Sequence, residues 1–202
     1  RPSHRHTGHM NTIIIGTRGS PLALAQVEII TGLLQKAHAG LHVERKIIKT
    51  SGDKFMEMSL TAGAGKGLFT KEIEEQLLAG DIDLAIHSMK DLPTQLPEGL
   101  TIGAVPARED AHDVLISKRY RSVDELPQGA RIATSSPRRR AQLLVRRPDL
   151  KILEIRGNVG TRVQKSAEYD GVILAAAGLK RLGLKVEYHP LDFDIMIPAV
   201  GQ

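Results

Sequence analysis

The sequence has no cysteine and no tryptophan, and its 202 residues include only three phenylalanines and three tyrosines. The lack of cysteine excludes disulfides, iron–sulfur clusters, zinc ribbons and cysteine nucleophiles from this chain, and we expect no metal site. The shortage of aromatic rings argues against a platform for stacking nucleic-acid bases. No apolar run approaches the roughly 20 residues that span a bilayer. We therefore expect a cytoplasmic protein that does not bind membranes.

The amino-acid composition fits an ordinary globular protein. Hydrophobic residues make up 41% of the chain and charged residues 25%, which is typical of one large or two small domains. The first ten residues are basic and include three histidines, and we interpret them as the remnant of an expression tag. They are left out of the fold prediction.

The basic side chains are concentrated in one part of the chain. Between Arg131 and Lys165 the sequence has ten lysines and arginines against two acidic residues, whereas the rest of the chain is net negative. Such segregation of charge indicates an anionic partner, whether a phosphate, a carboxylate or a nucleic acid.

Short β-branched runs alternate with helical stretches along the whole chain, which predicts α/β units around mostly parallel sheets. The predicted strands are Thr12–Ile15, Val43–Lys49, a buried strand Leu84–Ile86, Val114–Ser117, Arg131–Ala133, Ile152–Ile155 and Val172–Leu174. The predicted helices are Leu22–His38, Thr70–Ala79, Ser122–Leu126, Pro137–Arg146, Asn158–Lys165 and Ala175–Leu182. The pattern restarts after residue 112, so we expect a first domain over residues 11–106 and a second over 107–198. Ligands of such α/β lobes sit at the carboxyl ends of strands, so we expect a cleft between the two lobes.

Two predicted helices begin with residues suited to anion binding. Thr134–Arg140 places hydroxyls, a proline and three arginines where a helix follows a strand, so that free N–H groups and guanidinium groups favour the same negative ligand. The alternative is a capped helix with a solvent-exposed basic face. Arg156–Arg162 repeats the arrangement at the next junction, and the two together favour an anion site.

Two other segments carry candidate chemistry. Gly63–Gly67 is not a nucleotide-binding P-loop, because a glycine follows Lys66 and Leu60 stands in place of the first glycine. We interpret it as a flexible loop or a mobile cover of a site. His87–Asp91 sets a lysine beside an aspartate at a strand end, where each can tune the ionisation of the other. A lone histidine such as His87 is more often a core residue than a catalytic one.

Six motifs occur in order along the chain: Thr17–Leu24, Gly65–Phe69, His87–Asp91, Thr134–Ser136 with Arg138 and Arg139, Arg156–Arg162, and Ala177–Arg181. Together they resemble the hydroxymethylbilane synthase family, also called the porphobilinogen deaminases. The resemblance runs from about Thr12 to Gln202. It departs from the family at Ala62, where a loop lysine is usual, and at Pro137, where a leucine is usual.

The resemblance implies a transferase of tetrapyrrole and haem biosynthesis with the two-lobed fold of type II periplasmic binding proteins. Such an enzyme joins four porphobilinogen units with loss of ammonia, starting from a dipyrromethane cofactor held by a cysteine, and releases linear hydroxymethylbilane. It implies Asp91 as the catalytic acid with Lys90 beside it. The implied contacts with cofactor and substrate are Arg18, Ser20, Lys66, Ser88, Lys90, Thr134, Ser135, Ser136, Arg138, Arg139, Arg156, Gly157, Asn158, Arg162 and Arg181. We expect a monomer that binds porphobilinogen and linear oligopyrroles.

The family's cysteine lies in a third domain, which follows a return of the chain to the first domain. Residues 199–202 correspond to the start of that return, so we expect this chain to lack the third domain and to be inactive alone. One alternative is an anion-binding solute receptor for polycarboxylates, which predicts a secretion signal; the strand that follows Met10 argues against it. A second alternative, a nucleic-acid-binding protein, predicts affinity that falls steeply with salt, and we expect no nucleic-acid partner.

Overall fold

The computed structural model describes residues 12–52 and 70–191. The chain divides into two compact units, residues 1–105 and residues 106–202. Lys66, Ala62 and the predicted loop Gly63–Gly67 lie outside the described residues, as do the chain ends.

The first unit contains a parallel sheet with helices in its connections. Its elements are β1 (Thr12–Thr17), α1 (Pro21–Ala37), β2 (His42–Ile47), α2 (Lys71–Ala79), β3 (Leu84–Ala85) and a 3-10 turn (Met89–Asp91). The strand order is β2-β1-β3, with both neighbours parallel to β1. Because parallel strands end at the same edge of a sheet, the segments that follow β1 and β3 lie side by side.

Local sequence explains the bounds of the two long helices in this unit. The hydroxyl of Ser20 accepts a hydrogen bond from the Ala23 N–H at 3.3 Å, and Pro21 occupies the first turn of α1. Gly80 ends α2 in the left-handed conformation, with a φ of 75°. Both boundaries agree with the sequence prediction to within one residue.

The second unit is built on a mixed five-stranded sheet. Its elements are β4 (Asp113–Ile116), β5 (Arg131–Ala133), α3 (Pro137–Arg146), β6 (Lys151–Leu153), α4 (Val159–Gln164), a 3-10 turn (Lys165–Glu168), β7 (Gly171–Ala175), α5 (Ala176–Arg181) and β8 (His189–Leu191). The strand order is β6-β5-β7-β4-β8. Strands β6, β5 and β7 are parallel, whereas β4 is antiparallel to both β7 and β8.

The reversed direction of β4 determines which residues share an edge of this sheet. Asp113, the first residue of β4, pairs with Ala175, the last residue of β7. The beginning of β4 therefore lies at the same edge as the carboxyl ends of β5, β6 and β7. Both faces of the sheet are buried, because Leu115 packs into one core cluster and its neighbours Val114 and Ile116 into the other.

The structure corrects the helix predicted over Ser122–Leu126, which is a turn. The Arg121 N–H donates to Glu125 Oε2 at 2.8 Å, and the Glu125 N–H donates to the Ser122 hydroxyl at 3.3 Å. Side chains thus satisfy the backbone donors that a helix would use. Pro127 follows at once and favours an end to the segment.

Two strand predictions near sheet edges also differ from the structure. Leu84 was expected in a buried strand, but it is 38% exposed. In the described part of the chain β3 pairs only with β1, which leaves its other edge open. The strand β8 was not predicted, because it contains Pro190, and a residue without an N–H fits a strand only at an edge.

Candidate functional site

An open pocket in the first unit lies at the carboxyl ends of β1 and β3. Its volume is about 390 Å³, including the part open to solvent. It is lined by Arg18, Ser20, Leu22, Ala23, Gln26, Ile86, His87, Ser88 and Asp91. Four of the residues expected from the resemblance, Arg18, Ser20, Ser88 and Asp91, therefore surround one pocket.

A hydrogen bond between α1 and the end of β3 fixes one side of this pocket. Gln26 donates from Nε2 to the Ser88 hydroxyl at 3.0 Å. Ser88 immediately precedes the 3-10 turn that carries Asp91, and the Asp91 N–H donates to the Ser88 carbonyl at 2.9 Å. Ser88 thus links the backbone of Asp91 to α1. Gln26 was not among the expected site residues, and nothing in its sequence neighbourhood marks it.

His87 is half-buried in the wall of the pocket. Burial lowers the pKa of its imidazole below the ordinary value of 6.5. The negative charges of Asp91 and Glu74 raise that pKa, and the positive charge of Arg18 lowers it, but burial is the largest effect. His87 is therefore a neutral, polar wall residue near neutral pH, close to the Asp91 carboxylate.

The lysine next to Asp91 is not part of the pocket lining. Lys90 is exposed and lies in the same 3-10 turn as Asp91, which is also exposed. Although the two residues are consecutive, Asp91 borders the pocket and Lys90 does not. The catalytic roles of Asp91 and Lys90 stay predictions.

In the second unit, the expected arginines of α3 pair with an aspartate. Asp113 is buried, with 4% of its side chain exposed, and it contacts both Arg138 and Arg139. The Arg138 guanidinium donates to Oδ2 at 2.6 Å, and Arg139 donates to Oδ1 from Nε at 2.9 Å. The guanidinium groups expected to bind ligand carboxylates thus already share one carboxylate of the chain.

The three hydroxyl residues after β5 have different contacts. The Ser136 hydroxyl caps α3 by accepting from the Arg139 N–H at 3.4 Å. Ser135 donates to the Ile155 carbonyl at 2.5 Å and accepts from the Ile155 N–H at 3.1 Å. The buried Thr134 hydroxyl accepts from the Ser136 N–H at 3.3 Å. All three hydroxyls hold the backbone at the edge where β5 ends.

The segment after β6 is arranged around Gly157 and Asn158. The side chain of Asn158 caps α4 by accepting from the Thr161 N–H at 2.9 Å, and Arg162 donates from Nε to the Gly157 carbonyl at 2.8 Å. Burial lowers the pKa of Arg162, with a further contribution from the charge of Arg139. The contribution of Arg139 indicates that these two cations lie near each other.

The other two expected arginines, Arg156 and Arg181, lie at the margin of the sheet edge where β5, β6 and β7 end. The Arg156 side chain is 61% exposed and lies 3.6 Å from an exposed Glu154 carboxylate. Arg181 is the last residue of α5 and is half-buried. A hydrogen bond from Lys180 holds the pKa of Glu109 below its usual range, with a smaller contribution from the charge of Arg181. Arg181 therefore lies near the segment that precedes β4.

Asp113 is, besides Gln26, a second functional candidate that the sequence does not reveal. It stands just before the apolar run of β4, so it was interpreted only as the start of a second unit. Its proximity to Arg138 and Arg139 follows from the antiparallel direction of β4, which is a tertiary feature. The nearest signal in the sequence is a charged residue placed directly before the apolar residues Val114–Ile116 of a buried strand.

Comparison with known families decides between the alternatives. Residues 13–202 match the family model described as porphobilinogen deaminase, dipyromethane cofactor binding domain. The chain belongs to the porphobilinogen deaminase family. The predicted resemblance is therefore confirmed, and neither the solute receptor nor the nucleic-acid-binding alternative has comparable support.

Curated members of the porphobilinogen deaminase family are similar over nearly the whole chain. A porphobilinogen deaminase of Nitratidesulfovibrio vulgaris strain DP4 is 54% identical over 197 residues, which is 96% of this chain and 62% of the relative. One from Geobacillus kaustophilus is 53% identical over 197 residues, covering 96% of this chain and 64% of the relative. This chain thus spans less than two thirds of the length of these relatives.

Solved structures support the fold class. The probable amino-acid ABC transporter extracellular-binding protein ytmK from Bacillus subtilis aligns with a TM-score of 0.52 at 13% identity, over 92% of this chain and 80% of that one. The predicted mixed α/β fold of the periplasmic-binding-protein type is confirmed for this porphobilinogen deaminase family member. Within residues 12–52 and 70–191, no helix has both the length and the apolar character of a membrane span.

Proposed function

We propose that this chain is the dipyrromethane-binding part of an enzyme that condenses four porphobilinogen molecules into linear hydroxymethylbilane and releases ammonia. The observation that carries the proposal is the pocket of the first unit, where Arg18, Ser20, Ser88 and Asp91 meet. It lies in a chain that is 54% identical to a relative named porphobilinogen deaminase. The ligands of this chain are porphobilinogen and the linear oligopyrroles made from it.

In each unit, the side chains at the sheet edge where the parallel strands end suit pyrroles that carry acetate and propionate groups. In the first unit, Arg18 and the beginning of the 17-residue helix α1 both favour a carboxylate. In the second unit, Arg138 and Arg162 favour the same chemistry. Because every added pyrrole brings two more carboxylates, a growing chain needs several such positions.

Asp91 is the group suited to the chemical step. Loss of ammonia from the aminomethyl group of porphobilinogen leaves positive charge on the pyrrole that remains. A carboxylate at the rim of the pocket stabilises that charge and accepts hydrogen bonds from pyrrole N–H groups. The neutral His87 in the pocket wall adds no competing positive charge there near neutral pH.

The polar groups in the pocket of the first unit fit dipyrromethane, since the Arg18 guanidinium can donate to its carboxylates and the Asp91 carboxylate can accept from its N–H groups. When bound, that cofactor supplies the pyrrole to which the first substrate unit is joined. These 202 residues contain no cysteine, so we propose that its thioether link is made to a residue outside them.

The function is tested with a hybrid enzyme in which these residues replace the matching part of the Nitratidesulfovibrio vulgaris relative. We expect the hybrid to release ammonia from porphobilinogen and to form hydroxymethylbilane. The unmodified relative serves as the positive control and the 202-residue chain alone as the comparison. A folded hybrid that binds porphobilinogen but releases no ammonia would contradict the proposal.

A further inference from the structure

In the part of the second unit that the structure describes, Asp113 carries a buried carboxylate that the proposed reaction does not use. Asp113 begins β4 at the edge where β5, β6 and β7 end, and only 4% of its side chain is exposed. A buried charge is costly unless it is paired and hydrogen-bonded. Its partners therefore indicate why an aspartate stands at this position.

The carboxylate of Asp113 holds Arg139 inside the unit. Arg139 reaches Oδ1 from Nε at 2.9 Å and from its terminal nitrogen Nη2 at 2.7 Å. Its other terminal nitrogen, Nη1, donates to the Ile173 carbonyl at 3.3 Å. All three guanidinium nitrogens are thus engaged, and the side chain is only 14% exposed. Arg139 has little capacity left for a ligand.

Arg138 differs from its neighbour in exposure and in remaining donors. Its Nη2 donates to Oδ2 of Asp113 at 2.6 Å and its Nη1 donates to Gln142 at 2.6 Å, while 46% of the side chain is exposed. The two guanidinium groups share one carboxylate, so the cluster of Asp113, Arg138 and Arg139 keeps an excess positive charge. That excess is accessible at Arg138.

We propose that Asp113 is a positioning residue that orients the Arg138 guanidinium for a carboxylate of the ligand, with Arg139 as the buried part of the same arrangement. This inference rests on the proposed function, because porphobilinogen supplies the carboxylate. An arginine held in place before binding loses less side-chain freedom when the ligand arrives, which increases affinity. Asp113 acts through Arg138 and does not itself touch the anionic ligand.

A double-mutant cycle on the 202-residue chain tests this role. Porphobilinogen is titrated by calorimetry into the wild-type chain, Asp113→Asn, Arg138→Gln and the double variant. We expect each single substitution to weaken binding by about tenfold. In the Arg138→Gln background, Asp113→Asn should cause no further loss, since the residue through which it acts is gone.

A second charge pair in the same unit provides the matched control. Asp149 pairs with Arg147 at 2.8 Å, also partly buried. Asp149→Asn should lower the free energy of unfolding in urea and leave porphobilinogen affinity unchanged. If Asp113→Asn does not fold, Asp113→Glu keeps the charge but moves the carboxylate, and it should fold and bind about tenfold more weakly.

The outcomes separate this inference from the proposed function. Independent, additive losses from Asp113→Asn and Arg138→Gln, or wild-type affinity in both Asp113 variants, would overturn the positioning role and leave the function standing. A wild-type chain that does not bind porphobilinogen would overturn the proposed function and this inference with it.

Discussion

The hydroxyl of Ser135 forms two hydrogen bonds with the backbone of Ile155, donating to its carbonyl at 2.5 Å and accepting from its N–H at 3.1 Å. Backbone pairing between β5 and β6 ends just before this point, where the Thr134 N–H donates to the Leu153 carbonyl at 2.9 Å. The Ser135 side chain thus continues the connection between the two strands. It fixes the backbone immediately before Arg156.

Replacing this hydroxyl should destabilise the second unit. Ser135→Ala leaves both backbone groups of the buried Ile155 without their partner, which should lower the free energy of unfolding by about 1–3 kcal/mol. Urea denaturation followed by circular dichroism measures the loss. Ser122→Ala is the control, because its hydroxyl accepts a hydrogen bond within an exposed turn, and this substitution should cost less than about 1 kcal/mol. Equal losses in the two variants would contradict the structural role of Ser135.

Gly157, between Arg156 and Asn158, should tolerate no side chain. Its φ is +112°, and a Cβ there would lie 2.8 Å from Thr161 Cγ2. Gly157→Ala therefore combines a left-handed backbone with a steric clash and should cost more than the roughly 1 kcal/mol of the backbone conformation alone. Thermal unfolding of the variant measures this cost.

Gly40 supplies the matched control for that prediction. Its φ is +81°, and a Cβ there would have no heavy atom within 4 Å. Gly40→Ala should cost only the backbone strain. Adding Thr161→Ser to Gly157→Ala removes the clashing methyl group and should recover part of the extra loss. A Gly157→Ala chain as stable as Gly40→Ala would show that the clash does not exist.

His87 should make the stability of the first unit depend on pH. Because burial lowers the pKa of His87 in the folded chain below the ordinary 6.5, the unfolded chain binds the proton more readily. The contribution of His87 to the free energy of unfolding is fully present above pH 6.5, the pKa of His87 in the unfolded chain. It decreases as the pH falls from 6.5 towards the lower pKa of His87 in the folded chain, and it is lost below that pKa. Urea unfolding at several pH values between 5 and 8 measures the slope.

His87→Gln should flatten that slope, because it removes the titrating group. His42→Gln is the control, since the His42 side chain is 56% exposed. The comparison uses the difference in slope between each variant and the wild type, so the contributions of the other histidines cancel. An unchanged slope in His87→Gln would contradict a half-buried His87 whose pKa burial lowers.

The sequence predicted elements well where local signals fix them. The strand Arg131–Ala133 and the helix Pro137–Arg146 have the predicted bounds, because Ser136 and Pro137 specify the helix start. It failed at Ser122–Leu126, where side-chain hydrogen bonds replaced helical ones. Four residues named by the resemblance, Arg18, Ser20, Ser88 and Asp91, line the pocket of the first unit, and their roles stay predictions.

The remaining features depend on tertiary contacts. The contact of Asp113 with Arg138 and Arg139 results from the reversed direction of β4. The contact of Gln26 with Ser88 joins residues 62 positions apart. The sequence also could not distinguish Arg138 from Arg139, although one side chain is 46% exposed and the other 14%. Their exposure is set by the position of a carboxylate from another strand.

The most direct test of the account is ammonia release from porphobilinogen by the hybrid enzyme with and without Asp91→Asn. Asp81→Asn serves as the control, because Asp81 is an exposed aspartate of the same unit outside the pocket lining. We expect the unmodified hybrid and Asp81→Asn to release ammonia, and Asp91→Asn to bind porphobilinogen while releasing almost none. Full ammonia release by Asp91→Asn would contradict the claim that the pocket at the ends of β1 and β3 carries the chemistry.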